Sequence, residues 1–275
     1  MTDHGDEWIL VDFDTPADLT EFVSDALWQL GVVAVEEIDS EPGRVILRTS
    51  IGADGSAGTA AIVERFDGVT ATAISFPASV ADTWRAFVAP THVVGDVWIV
   101  PQWCPQPGGR SILIEPFDTF GLGNHPTTVL TLRAALVVAR PDLAALDLGS
   151  GSGVLSVALA SLVGCSVDAH DIAAQAQAAL LHNAELNGCG NAVRWIDSVD
   201  ASSNGRYGLV MANILAPVLR QLAGDIESVT ARGGAVVLSG IREDQVAGVV
   251  ACYGNCDVVS VEMLDGWAAI TLRRR

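Results

Sequence analysis

Asp147-Leu148-Gly149-Ser150-Gly151-Ser152-Gly153 is the stretch that decides the fold of this 275-residue chain. It follows the apolar run Leu143 to Leu148, which predicts a strand, and precedes Val154 to Leu162, which predicts a helix. Glycines at such a junction let a ligand lie against bare backbone, and the helix start offers N–H groups that have no intrahelical partner. A G-x-G-x-x-G dinucleotide fingerprint would need glycine at 154, where the chain has Val154. Downstream, Ser166 to His170, Val193 to Ile196, Leu209 to Ala212 and Ala235 to Leu238 read as short apolar strands. Helical stretches at Ala173 to Asn187 and Leu215 to Val229 separate them. That rhythm predicts an α/β domain, a parallel sheet covered on both faces with ligands at the carboxyl ends of its strands. Val258 to Met263, Asp265-Gly266 and Trp267 to Leu272 read as a closing β-hairpin with a tight glycine turn.

The D-x-G-x-G-S-G form resembles the first motif of class I S-adenosylmethionine-dependent methyltransferases. An adenosine site needs a carboxylate at the end of the next strand, where one acid can accept both ribose hydroxyls. Asp171, just past His170, stands there; Asp168, inside the strand, competes with it. Met211-Ala212-Asn213-Ile214-Leu215 follows the fourth strand of the sheet, and Asn213 reads either as a holder of an amine or as a cap for the next helix. Before the sheet, Phe120-Gly121-Leu122-Gly123-Asn124-His125-Pro126-Thr127-Thr128 reads as a mobile loop closing into a helix start, with Pro126 near the first helical position. Thr127 or Thr128 can offer a hydroxyl there.

The N-terminal third follows a βαββαβ order. Strands are expected at Trp8 to Phe13, Val32 to Val35, Arg44 to Thr49 and Val69 to Phe76. Thr15-Pro16 starts a helix whose apolar stripe runs Leu19, Phe22, Val23, Ala26, Leu27 and Leu30, and Ala60 to Phe66 supplies the second helix. This predicts a small ferredoxin-like α+β domain over residues 1–78. Residues 79–110, rich in Trp and Pro, are expected to connect it to the main domain at 111–275.

Composition narrows the chemistry. All fifteen cations are arginine, and without lysine there is no Schiff-base anchor and no P-loop lysine. Residues 1–100 hold seventeen acids against four arginines, whereas residues 101–275 hold sixteen against eleven. Such a surface repels nucleic-acid phosphates and attracts a basic protein or a cationic small molecule. Five scattered cysteines and five histidines show no metal-ligand spacing, so no metal is expected. The absence of a long apolar run and the acidic start predict a cytoplasmic protein without a membrane partner, and a monomer is expected.

Together, Trp8, Leu30 to Glu37, the Trp-rich connector, Phe120 to Thr128, Asp147 to Gly153, Met211 to Leu215 and Leu238-Ser239-Gly240-Ile241 resemble the ribosomal protein L11 methyltransferase family, PrmA. Leu122 and Asn124 stand where that family usually has threonines. The resemblance implies a Rossmann-like, mostly parallel seven-stranded sheet behind a substrate-recruiting domain. It implies S-adenosylmethionine as methyl donor, with contacts at Thr128, Gly149, Gly151, Asp171 and Asn213. It implies transfer to amino groups of a large-subunit ribosomal protein, lysine side chains and the N-terminal amine, with Asn213 holding the amine. Three alternatives stay open at this point: a lysine methyltransferase for another protein such as electron-transfer flavoprotein, an NAD-dependent dehydrogenase, and a non-catalytic cofactor-binding protein.

Overall fold

The computed structural model describes residues 7–30, 32, 35–51, 56–77, 88–117, 122–173 and 175–275. The chain forms two compact units, residues 1–88 and 89–275.

In the first unit, β1 (Glu7–Pro16), α1 (Thr20–Gln29), β2 (Val35–Asp39), β3 (Arg44–Ile51), α2 (Ser56–Arg65) and β4 (Thr70–Pro77) follow in order. The sheet order is β2-β3-β1-β4 and every pairing is antiparallel, the ferredoxin-like arrangement expected. Alternation along β1 explains its seat. Val11, Phe13 and Thr15 are buried, with Val23, Leu27, Leu47 and Ile62 in the same core. Asp12 and Asp14 lie on the other face and pair across the strand with Arg48 at 2.7 Å and Arg44 at 2.8 Å. The second strand starts at Val35 rather than ending there; Val33 and Ala34 lie outside the described residues.

The second unit begins with β5 (Thr91–Val94), β6 (Val97–Pro101) and β7 (Arg110–Ile114), a three-stranded sheet in that order. From Ala89 onward, the stretch expected as a connector is thus part of this unit. Val97 and Ile99 are buried with the half-buried Trp98 between them, and the alternation breaks at Val100 and Pro101, which are both buried. Trp84 lies outside the described residues.

Next come α3 (Pro126–Val138), β8 (Ala144–Leu148), α4 (Val154–Val163), β9 (Ser166–His170), α5 (Ala176–Leu186), β10 (Val193–Trp195) and β11 (Tyr207–Asn213). The expected single helix over 215–229 is a pair, α6 (Ala216–Gln221) and α7 (Ala223–Val229). They lead to β12 (Thr230–Arg242), α8 (Val246–Val250), β13 (Cys256–Leu264) and β14 (Trp267–Arg274). The seven-stranded order is β10-β9-β8-β11-β12-β14-β13. Strands β8 to β12 pair in parallel, and β14 and β13 close the sheet as the antiparallel hairpin. Asp265 and Gly266, both at positive φ, make its turn. Leu209 and Met211 bury into one core and Val210 and Ala212 into the other, so β11 is covered on both faces. The order reverses between β8 and β11, and an open α/β sheet places its ligand crevice at such a reversal.

Asp168 lies within β9 and is only 8% exposed. Its carboxylate accepts from Arg194 at 2.9 and 2.8 Å and from the Tyr207 hydroxyl at 2.9 Å, and it pairs with Arg206 at 3.0 Å. These bonds occupy both oxygens and tie β9, β10 and the start of β11 together. No helix among the described residues is long and apolar enough to cross a membrane.

Candidate cofactor and methyl-transfer site

The glycine-rich turn leaves the end of β8 and is pinned to the next strand. The N–H groups of Gly149 and Ser150 both donate to the His170 carbonyl, at 2.8 and 3.1 Å. Gly149, Gly151 and Gly153 all sit at positive φ, which side chains rarely adopt. At Gly149 a Cβ would also stand 2.3 Å from Ile214 Cγ2. Bare backbone here is therefore a steric requirement.

Asp171 ends up at this turn. Its Oδ2 accepts the Gly151 N–H at 2.8 Å and its Oδ1 the Ala173 N–H at 2.8 Å. Each carboxylate oxygen keeps acceptor capacity after those bonds. The neighbouring Ile172 is 93% exposed, an unusual state for isoleucine.

Thr128, Gly149, Ser150, Gly151, Val154, Leu155 and Asn213 line one cleft. It thus joins four of the five residues expected to contact the cofactor, and Asp171 grips the turn that forms its floor. Asn213 does not cap the helix after it: that helix starts at Ala216 with Leu215 as its cap residue. Ile214 is instead wedged between two glycines. Its side chain faces Gly149, and a Cβ on Gly240 would lie 2.4 Å from its carbonyl oxygen. Thr128 is placed by His125, whose ring caps α3 by accepting the Thr127 N–H at 3.3 Å. Burial, and then the charge of Arg242, push the His125 pKa down, so the ring is neutral near pH 7. Phe120 and Gly121 lie outside the described residues.

Three buried polar atoms around the turn have no hydrogen-bond partner among the described residues: Thr128 Oγ1, Asp147 Oδ1 and Ser150 Oγ. Buried polar groups are rarely left so, and a polar ligand in the cleft fits them. Asp147, the acid that opens the D-x-G-x-G-S-G stretch, lies behind the turn and is not among the residues that line the cleft. It is fully buried, and Ser156 donates to its Oδ2 through its N–H at 3.1 Å and its hydroxyl at 2.6 Å.

Burial outweighs those two donors and raises the Asp147 pKa from 3.8 to about 6. A folded-state pKa above the unfolded one means that the folded form binds the extra proton. The resulting stability is fully present below about pH 4 and is lost as pH rises through about 6. The wild-type protein should therefore lose about 1–1.5 kcal/mol between pH 5 and 7.5 relative to Asp147→Asn. Urea denaturation of both proteins at the two pH values measures this, and parallel behaviour would refute it.

A parallel sheet finished by a C-terminal antiparallel hairpin, with its cleft at the strand reversal, defines the class: a Rossmann-like methyltransferase that uses S-adenosylmethionine. A crystal structure of ribosomal protein L11 methylase from Lactobacillus delbrueckii subsp. bulgaricus superposes with a TM-score of 0.62 at 27% identity, covering 68% of this chain and 100% of that one. The family model for Ribosomal protein L11 methyltransferase (PrmA) matches residues 78–275, and the chain belongs to that family. The Ribosomal protein L11 methyltransferase of Geobacter sulfurreducens is 32% identical over 97% of this chain and 98% of its own length. That of Methylobacillus flagellatus is 30% identical over 98% and 99%.

Proposed function

We propose that this protein transfers methyl groups from S-adenosylmethionine to amino groups of ribosomal protein L11, lysine side chains and the N-terminal amine. The observation that carries the reading is the convergence of Thr128, Gly149, Gly151 and Asn213 on one cleft, with Asp171 bonded to the glycine turn. Full-length similarity to the L11 methyltransferases supports it.

In this reading Asp171 accepts the ribose hydroxyls with the lone pairs that Gly151 and Ala173 leave free. Gly149 and Gly151 present backbone to the nucleoside. Thr128 and Ser150, which line the cleft, offer their unpartnered hydroxyls to the polar groups of the donor. When bound, S-adenosylmethionine supplies a methyl already activated by the sulfonium charge. What remains for the protein is to align the acceptor nitrogen in line with it and exclude water. Asn213 holds the acceptor amine. A lysine of pKa about 10.4 must enter neutral or lose its proton on the way in, and Asn213 has no basicity to take that proton. The ring of His125 is committed to its helix cap.

The acidic first unit is read as the recruiter of the basic acceptor. Sixteen acids against four arginines in residues 1–88 give it a strong negative field, of which the pairs of Asp12 with Arg48 and Asp14 with Arg44 cancel only a small part. The partner is thus a protein rather than a nucleic acid. The reading implies a monomer in the cytoplasm, in keeping with five free cysteines.

Incubation with methyl-labelled donor and a ribosomal protein extract, followed by mass spectrometry, tests the function. Label on amines of L11 is expected; label confined to another protein would redirect the assignment. Asp171→Ala should weaken S-adenosylhomocysteine binding by roughly 1.5–3 kcal/mol, the scale of hydrogen bonds to a charged acceptor. Titration calorimetry reads it directly, and unaltered affinity would show that another group holds the ribose.

A further inference from the structure

Asn183 joins the glycine turn to the end of β7. It lies on α5 and is 0% exposed, yet its amide is fully used. The Glu115 N–H donates to its Oδ1 at 2.9 Å, and its Nδ2 donates to the Glu115 carbonyl at 2.8 Å and to the Ser152 carbonyl at 2.9 Å. One helical turn later, Asn187 repeats the two bonds to the strand and donates as well to the Asn183 backbone carbonyl at 2.8 Å. It accepts the Leu113 N–H at 2.9 Å and donates to the Leu113 carbonyl at 2.7 Å. Residues 113 and 115 alternate along the chain, so their peptide groups face the same side, and amides four apart on a helix imitate the missing neighbour strand.

Only Asn183 of the two reaches the turn. Ser152 lies between Gly151 and Gly153, both at positive φ. Gly153 packs on the same helix face, where a Cβ would stand 3.1 Å from Leu180 Cα. A primary amide supplies one acceptor and two donors in a plane; aspartate keeps the shape but loses both donors.

We infer that Asn183 is a positioning residue for cofactor binding: by fixing the Ser152 carbonyl against Glu115 it sets the direction of the N–H groups in the glycine turn. The inference rests on the reading of that turn as the S-adenosylmethionine site. Asn183 itself is not among the residues that line the cleft. It holds the turn as a rigid cradle and keeps it in register with the backbone of residues 113–115.

The test is S-adenosylhomocysteine affinity of the full-length protein and two variants, by titration calorimetry well below each melting temperature. Asn183→Asp should weaken binding roughly 10- to 100-fold at about pH 8, where two carbonyls lose their donor. Asn187→Ala removes a comparable strand clamp, together with its bond to the Asn183 backbone carbonyl at 2.8 Å, but no bond to the turn, and its affinity should stay within about threefold of wild type. Lowering the pH to about 6 should recover part of the loss in Asn183→Asp relative to wild type, because a protonated carboxyl donates once. Equal losses in both variants, or none in Asn183→Asp, would overturn the inference. Wild-type protein that failed to bind would overturn the cofactor reading and this inference with it. If Asn183→Asp does not fold, deuterium exchange of the wild type decides. Ligand-induced protection should reach residues 113–115 together with 149–153, and protection of 149–153 alone would contradict the coupling.

Discussion

Gly149→Ala is expected to abolish measurable cofactor binding and methyl transfer in a protein that still folds. Two independent effects converge on this one methyl group. At φ of 78° an alanine is strained by about 1–3 kcal/mol. Its Cβ would also stand 2.3 Å from Ile214 Cγ2, so something must move. Ile214 cannot yield toward β12, because its own backbone already rests against Gly240. The displacement therefore passes to Asn213 or to the turn, and both line the cleft. An affinity loss of at least roughly 100-fold follows from a few kcal/mol concentrated at the ligand surface. Calorimetry with S-adenosylhomocysteine, alongside circular dichroism to establish folding, checks it. Near-wild-type affinity would mean that the ligand does not use this backbone.

Asn213→Ala is expected to separate binding from transfer. Removing the side chain leaves the glycine turn and Asp171 in place, so cofactor affinity should change by only a few-fold. The acceptor amine loses its holder, and misplacing a nucleophile by about 1 Å can cost roughly 10²-fold in rate. Steady-state methylation of L11 should therefore show kcat reduced by about that factor. A variant that lost affinity for the cofactor and kept its kcat would reverse the two roles.

Most of this arrangement is legible in the amino-acid sequence, and the reasons are local. The glycine turn is legible because a strand, three glycines and a helix occur in uninterrupted order, and because side chains rarely adopt such backbone angles. Asp171 is legible from its place after the next strand, although distinguishing it from Asp168 requires the fold, in which the arginine pair and Tyr207 close around the latter. The strands β5 and β6 are hidden because their few buried residues, Val93, Val97, Ile99 and Val100, are broken up by the Gly95 turn and by Trp98. Asp147 is legible as the acid of the glycine-rich stretch, but a sequence does not show that it is wholly buried with one oxygen unpartnered. Asn183 is invisible for a related reason. Its three bonds go to residues 115 and 152, far away along the chain, and no spacing rule connects them.

The same long-range ties explain how a fold shared by many activities is specialised. The sheet places the ends of β8, β9 and β11 side by side, and the loops between them carry the chemistry. Ile214, held between Gly149 and Gly240, makes the glycine turn and the loop that carries Asn213 a single packed unit.

A crystal structure of the full-length protein with S-adenosylhomocysteine tests the central claim most directly. The nucleoside should lie on the backbone of Gly149 to Gly151, with both ribose hydroxyls within hydrogen-bond reach of the Asp171 carboxylate and the sulfur directed toward Asn213. A ribose held by some other acid, or a nucleoside bound away from the glycine turn, would contradict the account.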